Sequence, residues 1–170
     1  MKSRTAKITE LAIYTAVAFI FSYIESLFPL PLPFPGIKLG LANLIIVLVL
    51  YRDGFKNAFL VSMVRNLLNA FTFGSLFSFF YSLAGSILSL VVMALLLADK
   101  KHLRLSPMGV SVAGGVLHNM GQFVVAAFLV GPAAILPYLP FLYFAGMIAG
   151  ALIGIFAILC LKRLPVSNKN

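Results

Sequence analysis

The side chains in this sequence that are best suited to chemistry lie inside an apolar run, in the segment His118-Asn-Met-Gly-Gln122. The imidazole and the two amides can each donate and accept hydrogen bonds, so together they can orient a polar ligand. His118 and Gln122 are four residues apart and share one face if the segment is helical. A plainer role for His118, a hydrogen bond to a carbonyl of a neighbouring helix, also stays open.

A second polar group precedes this segment and is built on Arg65, Asn66 and Asn69. Arg65 and Asn69 are also four residues apart and share a helix face. An arginine at the centre of a membrane helix costs about 2.5–3.5 kcal/mol on insertion scales, so such residues face the bundle interior, form pairs or line a ligand path. Arg65 could therefore bind a ligand or pair with Glu25 as a structural lock. For Asn66, a hydrogen bond to another helix is the better explanation.

Several kinds of enzyme are disfavoured by what the sequence lacks. It contains no phosphate loop of the GxxxxGK[ST] type and no Cys/His cluster for zinc or an iron–sulfur centre. Its two aspartates, Asp53 and Asp99, are isolated, whereas magnesium–diphosphate chemistry uses clustered carboxylates. No nucleophile, base and acid form a set. We therefore predict no catalytic residue, no metal site and no cofactor, and a protein that is not an enzyme.

The composition places these residues in a membrane. Of the 170 residues, 62% are hydrophobic and only 10% are charged, and the mean hydropathy is +1.07. Soluble domains are about a quarter charged. Only helices and closed barrels span lipid, and the apolar runs are too long and too uniform for barrel strands. We predict an all-α integral membrane protein that forms a single transmembrane domain over residues 1–170.

Six helices account for the apolar runs, because a membrane span needs about 20 residues. The first follows a basic N-terminus, and since no small-residue cleavage site comes after it, we expect it to be retained. A proline-rich stretch at residues 29–40 precedes the second helix, and its alternating prolines disfavour a helix. The second helix is short for a span, so we expect it either to be buried or to lean on the proline-rich stretch. The predicted helices cover about residues 6–28, 39–51, 54–73, 76–98, 107–130 and 137–161.

The basic residues predict the orientation of this bundle. With the N-terminus inside, eleven of the thirteen lysines and arginines fall in cytoplasmic segments, which is the bias that sets membrane topology. Of the other two, Lys38 lies outside and Arg65 lies within a helix. The split predicts six spans of the cell membrane with both termini cytoplasmic. It also explains the formal charge of +9 without a nucleic-acid partner.

In this topology the polar side chains meet in the outer half of the bundle. Their cations, Lys38, Arg65 and a protonated His118, outnumber the nearby acid Glu25, which favours an anionic or strongly polar ligand. Phenylalanines on the same side either line an apolar part of the ligand or face lipid: Phe71, Phe73, Phe77, Phe79 and Phe80. The predicted ligand contacts are Lys38, Asn43, Arg65, Asn69, His118, Asn119 and Gln122.

Small residues predict where helices touch. Glycines recur every four residues from Gly146 to Gly154 in the sixth helix, and serines with Gly85 form a similar stripe in the fourth. Small residues let helix backbones approach closely in lipid. We predict that both stripes serve packing within the chain.

Three of the helices carry recognisable short motifs. Pro35-Gly-Ile-Lys-Leu-Gly-Leu-Ala-Asn43 opens the second helix, Arg65 and Phe73-Gly74 follow in the third, and His118-Asn-Met-Gly-Gln122 lies in the fifth. This combination resembles the Gx transporter family, often labelled "heptaprenyl diphosphate synthase component I", over most of helices one to five. One departure is Ala84-Gly85, where the family would have two glycines, and it concerns packing of the fourth helix. The "synthase" label conflicts with the isolated aspartates of this sequence.

The Gx family is in turn similar to the substrate-binding S components of energy-coupling factor (ECF) transporters. The resemblance implies a six-helix bundle with a binding site in its outward half. It also implies partners, namely a transmembrane coupling subunit and two ATP-binding cassette (ABC) ATPases. In S components, an alanine-x-x-x-alanine patch on the first helix meets the coupling subunit, and Ala12 and Ala16 match that patch.

Three functional hypotheses follow from the sequence. The first is an S subunit that binds a small vitamin-like, isoprenoid- or quinone-related solute and borrows energy from partner ATPases. The second is a non-transporting membrane subunit of an isoprenoid or quinone pathway, or of a respiratory electron-transfer assembly. The third is a structural partner whose polar core only locks the bundle together.

Overall fold

The computed structural model describes residues 3–27, 40–98 and 105–163, and within these ranges the chain is helical. A short 3-10 turn, Leu136–Tyr138, joins the last two helices. The helices are α1 (Arg4–Leu27), α2 (Leu41–Asp53), α3 (Phe55–Thr72), α4 (Leu76–Ala98), α5 (Pro107–Val130), α6 (Pro132–Ile135) and α7 (Leu139–Arg163). The predicted all-α class is confirmed for the described residues.

The observed helix ends lie close to the predicted ones. The predicted fourth and fifth helices coincide with α4 and α5, and the other ends differ by one or two residues. The short helix α6 and the turn after it were not predicted. Pro132 and Pro137 each occupy one of the first positions of these two elements, where the fixed φ of proline favours a helical turn.

Four segments are long and apolar enough to cross a membrane, so the chain is a multi-pass helical membrane protein. They are α1, α4, α5 and the continuous segment Pro132–Arg163. At 13 residues α2 is shorter than a span, and α3 carries Lys56, Arg65 and three asparagines. Six complete spans therefore remain a prediction.

The six longer helices form a closed ring of neighbours. Going round it, α1 contacts α3, α3 contacts α4, α4 contacts α5, α5 contacts α7, and α7 contacts α2, which returns to α1. The most extensive contacts are those of α5 with α7 and with α4. Because successive helices run in alternating directions, the end of α1, the start of α2, the end of α3 and the start of α4 meet at one end of the ring.

The short helix α2 is the most deeply buried part of the bundle. Every residue from Ile45 to Leu50 is at most 8% exposed, so this helix is covered on all sides. A helix that is apolar all round is expected to be buried rather than to lie at a surface. Its packing thus explains how a helix of 13 residues is stable here.

Glycines bring α5 close to both of its neighbours. A methyl group added at Gly146 would lie 2.8 Å from the Gly115 carbonyl oxygen, and one added at Gly150 would lie 2.6 Å from that of Ser111. On the other side, a methyl group at Gly121 would lie 2.7 Å from the carbonyl oxygen of Ala84. The prediction that the glycine stripe of the sixth helix serves packing within the chain is confirmed.

Candidate functional site

A cavity of about 460 Å³ opens at the end of the ring where α2 begins. Helices α1 to α5, together with α6 and the start of α7, contribute to its wall. The predicted site residues that line it are Asn43, Arg65, Asn69, His118, Asn119 and Gln122. Six of the seven predicted ligand contacts are thus brought to one cavity, although they come from three separate helices. The seventh, Lys38, lies outside the described residues.

Arg65 is the charged residue deepest in this wall. Its side chain is 6% exposed, and its Nη2 donates a hydrogen bond of 2.8 Å to Asn66 Oδ1. Longer contacts join Nη1 to Asn43 Oδ1 at 3.4 Å and Nη2 to Ser86 Oγ at 3.5 Å. Nε of Arg65, which is also buried, has no hydrogen-bond partner. The guanidinium is therefore held by neutral groups, and no carboxylate of the described residues forms an ion pair with it.

Glu25 does not form a contact ion pair with Arg65, which was one of the two roles that the sequence left open. Its Oε1 accepts hydrogen bonds from the backbone N–H groups of Gly40 and Leu41, the latter at 3.0 Å. Those N–H groups belong to the start of α2, where the helix dipole favours a negative charge. Gly40 has φ of +80°, a conformation that glycine adopts without strain. Glu25 thus fastens the end of α1 to the start of α2, and it interacts with Arg65 through space without forming an ion pair at contact distance.

Three polar side chains of α5 lie on its side of the cavity, those of His118, Asn119 and Gln122. Asn119 Nδ2 donates to the carbonyl oxygen of Leu142 in α7 at 2.8 Å, so its amide nitrogen serves the fold. Nε2 of Gln122 lies 3.3 Å from Nε2 of His118, which confirms that these two side chains share a face. A methyl group added at Gly85 would lie 3.0 Å from the His118 ring, so the imidazole occupies space that a larger residue at position 85 would fill.

The rest of the wall is largely apolar. Phe77 from α4, Phe123 from α5 and Leu142 from α7 contribute to it, with Ala126 and Ile135. The other phenylalanines of the predicted group do not line it. Phe71 and Phe80 are 83% and 52% exposed, which fits a lipid-facing role, and Phe73 packs against Phe19 and Tyr23 of α1. The cavity can therefore hold a small amphipathic molecule, with polar contacts on one side and ring or aliphatic contacts on another.

The charges in the described wall are balanced in number, one guanidinium against one carboxylate. The predicted surplus of cations depended on Lys38 and on protonation of His118. The two charged groups differ in their hydrogen-bond partners. Glu25 accepts hydrogen bonds from the N-terminus of α2, whereas Arg65 donates to neutral amides and a hydroxyl.

The sequence also matches a family over most of its length. The family model described as "heptaprenyl diphosphate synthase component I" matches residues 14–159. The chain belongs to this family. The resemblance drawn from the short motifs is thereby confirmed at the level of the family. No curated protein and no solved structure matches the chain.

Several of the residues that line the cavity were not predicted from the sequence. They are Ser22 in α1, Tyr81 and Ser82 in α4, and the apolar residues Phe123 and Leu142. Ser82 and Ser86 lie one turn apart in the serine stripe of α4, which we attributed to packing. Because Ser86 bonds both Arg65 and Asn66, that stripe also serves the polar site. A lone serine such as Ser22 carries no pattern that distinguishes it from other serines.

The predicted partner contacts lie apart from the cavity. Ala12 and Ala16 are both exposed on α1, and neither lines the cavity. Near them, at the opposite end of the ring from the cavity, Arg52 of α2 forms an ion pair of 3.5 Å with Glu10 of α1. The Tyr14 hydroxyl also donates to Glu10 at 3.4 Å. This end of α1 is thus fixed to α2 by charge while its alanine face stays uncovered.

Proposed function

We propose that this protein is the membrane-embedded substrate-binding subunit of an ECF-type importer driven by ATP. In this proposal the chain crosses the cell membrane six times, with both termini in the cytoplasm, and is not itself an enzyme. It binds a small vitamin-like, isoprenoid- or quinone-related solute in the outward half of the bundle.

One observation carries the proposal, the cavity that contains a buried arginine without an anionic partner. Burying an ion costs several kcal/mol unless other groups compensate it, so a buried guanidinium with no carboxylate in direct contact indicates a functional site. The cavity volume of about 460 Å³ falls in the range of about 300–1,000 Å³ that is usual for small-molecule sites. Convergent amides and hydroxyls would then fix the orientation of the solute.

The need for partners follows from energetics. Uphill transport requires an energy source, and the sequence contains no phosphate loop that would bind ATP. A transmembrane coupling subunit and ABC-type ATPases would supply that energy. The exposed alanines at positions 12 and 16 support a coupling face, because small residues let a partner helix approach closely.

A second candidate function is favoured by the description of the family. That description names component I of heptaprenyl diphosphate synthase, which suggests association with other subunits. In this alternative the chain is a non-transporting membrane subunit of an isoprenoid or quinone pathway, or of a respiratory electron-transfer assembly. Its cavity would then bind an isoprenoid or quinone in place of a transported solute.

Purification from native membranes in mild detergent separates the two candidates. An importer subunit should bring down a membrane coupling protein and ABC ATPases in defined ratios. Co-purification of a soluble prenyl diphosphate synthase, or of flavin- or quinone-linked proteins, with no ATPase present would contradict the importer and support the alternative.

A further inference from the structure

We propose that the solute of this cavity is a small amphipathic monocarboxylate, with one carboxylate at Arg65 and an aromatic or short aliphatic body against the apolar wall. This inference rests on the proposed function, in that it assumes a solute-binding cavity. It limits the ligand to compounds with a single negative charge and an apolar body. Such compounds differ from the diphosphates that the family description suggests.

The first step of the argument concerns the unused donor of Arg65. A guanidinium carries five N–H donors in a planar fork that matches a carboxylate. Its bonds to Asn43, Asn66 and Ser86 hold Arg65 in place, and Nε remains buried with no partner. All three hydrogen-bond partners are uncharged, and Glu25 acts on Arg65 only through space, so no carboxylate neutralises the guanidinium by direct contact. A carboxylate supplies both the charge and planar acceptors for the remaining donors.

The second step concerns Glu25, which limits the ligand to one negative charge. Glu25 lines the same cavity, and its own carboxylate is held there by hydrogen bonds from the N–H groups at the start of α2. Like charges that share a site of low dielectric repel each other strongly. One anionic group can be offset by Arg65, whereas each further negative charge would face Glu25. A diphosphate, with several negative charges, is therefore a poor match for this wall.

The third step concerns the body of the ligand. Phe77, Phe123 and Leu142 form apolar surface on the wall that Arg65 shares. Burying apolar area contributes about 25 cal/mol for each Å², so this surface favours a ligand that continues from its carboxylate into a ring or a short chain. A small hydrophilic acid such as acetate would leave that apolar surface in contact with water and would gain none of this free energy.

The test uses phenylalkanoates from phenylacetate to phenylhexanoate, their matched primary amides, and geranyl diphosphate. Each is titrated against the full chain in detergent, and the melting temperature is followed with a thiol-reactive dye. The one cysteine, Cys160, is partly buried in α7, so the dye reports unfolding. At least one carboxylate should raise the melting temperature in a saturable way. Its amide should bind about 10-fold more weakly or worse, because it lacks the charge-assisted bond.

Three variants connect the shift to the cavity. Arg65→Gln should abolish the preference for acid over amide, while Arg65→Lys should bind the acid more weakly yet keep the preference. The matched control is Arg52→Gln, since Arg52 pairs with Glu10 at the other end of the ring and does not line the cavity. It should leave the carboxylate shift unchanged. The melting temperature without ligand shows that each variant is folded.

Three results would overturn the inference: equal stabilisation by acid and amide, stronger stabilisation by geranyl diphosphate, or no shift with any carboxylate. A shift by geranyl diphosphate that Arg65→Gln removes would still leave a solute-binding cavity in place. The proposed importer function is tested separately by co-purification. Failure of the one is thus distinguishable from failure of the other.

Discussion

Arg65 donates a hydrogen bond of 2.8 Å to the side-chain oxygen of Asn66, its neighbour in α3. Asn66 is 1% exposed, and it links α3 to α4 because its Nδ2 donates a hydrogen bond to Ser86 Oγ at 3.1 Å. The buried charge is thus fixed between two helices by a neutral amide. Its position is determined by the fold, and each of its hydrogen-bond partners is uncharged.

Asn66→Ala should lower the free energy of unfolding by about 1–3 kcal/mol, because it removes the shortest hydrogen bond of Arg65 and the donor to Ser86 Oγ inside the bundle. Thermal unfolding in detergent measures the loss. Asn57→Ala is the matched control, since Asn57 is a partly buried asparagine of the same helix with one bond to a backbone carbonyl. A loss as small as that of the control would contradict the network role of Asn66.

Gly85→Ala should be destabilising by about 1–3 kcal/mol, because the new methyl group would lie 2.7 Å from the His118 carbonyl oxygen and 3.0 Å from its ring. Gly109→Ala, in the first turn of α5, places its methyl group 3.5 Å or more from its neighbours and should be neutral or slightly stabilising. Unfolding of both variants is followed with the same dye. Equal stability of the two would contradict the close contact of α4 with His118.

Replacements of Glu25 distinguish a helix cap from an ion pair. Glu25→Ala should cost about 0.5–2 kcal/mol, as expected for the loss of an N-terminal cap. Glu25→Gln keeps an acceptor for the N–H groups of Gly40 and Leu41 and should retain much of that stability. If the glutamine variant is as unstable as the alanine variant, an uncharged acceptor cannot replace Glu25, which would contradict its role as a hydrogen-bonding cap of α2.

The double substitution Ala12→Leu and Ala16→Leu should reduce recovery of coupling protein and ATPases by about 10-fold or more, because bulky side chains prevent close helix approach. Ligand-induced thermal shifts should persist, since neither alanine lines the cavity. Ala133→Leu with Ala134→Leu, two exposed alanines of α6, serves as the control. Unchanged recovery of partners with the α1 variant would remove these alanines from the coupling surface.

The helices could be predicted from the sequence because their apolar runs are bounded by strong signals. Pro107, the predicted start of the fifth helix, is the first residue of α5, and the structure shows that the preceding Ser106 accepts a hydrogen bond from the N–H of Gly109. The short length of α2 left two possibilities, a buried helix or one that leans on the proline-rich segment, and the structure shows that it is buried on all sides. The short helix α6 was missed, since its prolines indicate interruption as readily as a helical turn.

Spacing in the sequence identified the polar side chains that gather at the cavity but not their hydrogen-bond partners. The four-residue spacing of His118 and Gln122 placed them on one face, and depth along the helices brought Arg65 near them. Whether Glu25 bonds to Arg65 or to the start of α2 depends on distances of a few ångström in three dimensions, which spacing in the sequence does not give. The same is true of the bond from Asn119 to Leu142. The role of each residue in binding stays a prediction.

Mass spectrometry of the small molecules released from the purified protein tests the central claim most directly. The chain, Arg65→Gln and Arg52→Gln are purified in parallel from the same cells in mild detergent, and their released molecules are compared. We predict that at least one compound is retained in near-stoichiometric amounts by the chain and by Arg52→Gln, and is lost from folded Arg65→Gln. The same compounds in equal amounts from all three proteins, or none from any of them, would contradict a solute-binding cavity at Arg65.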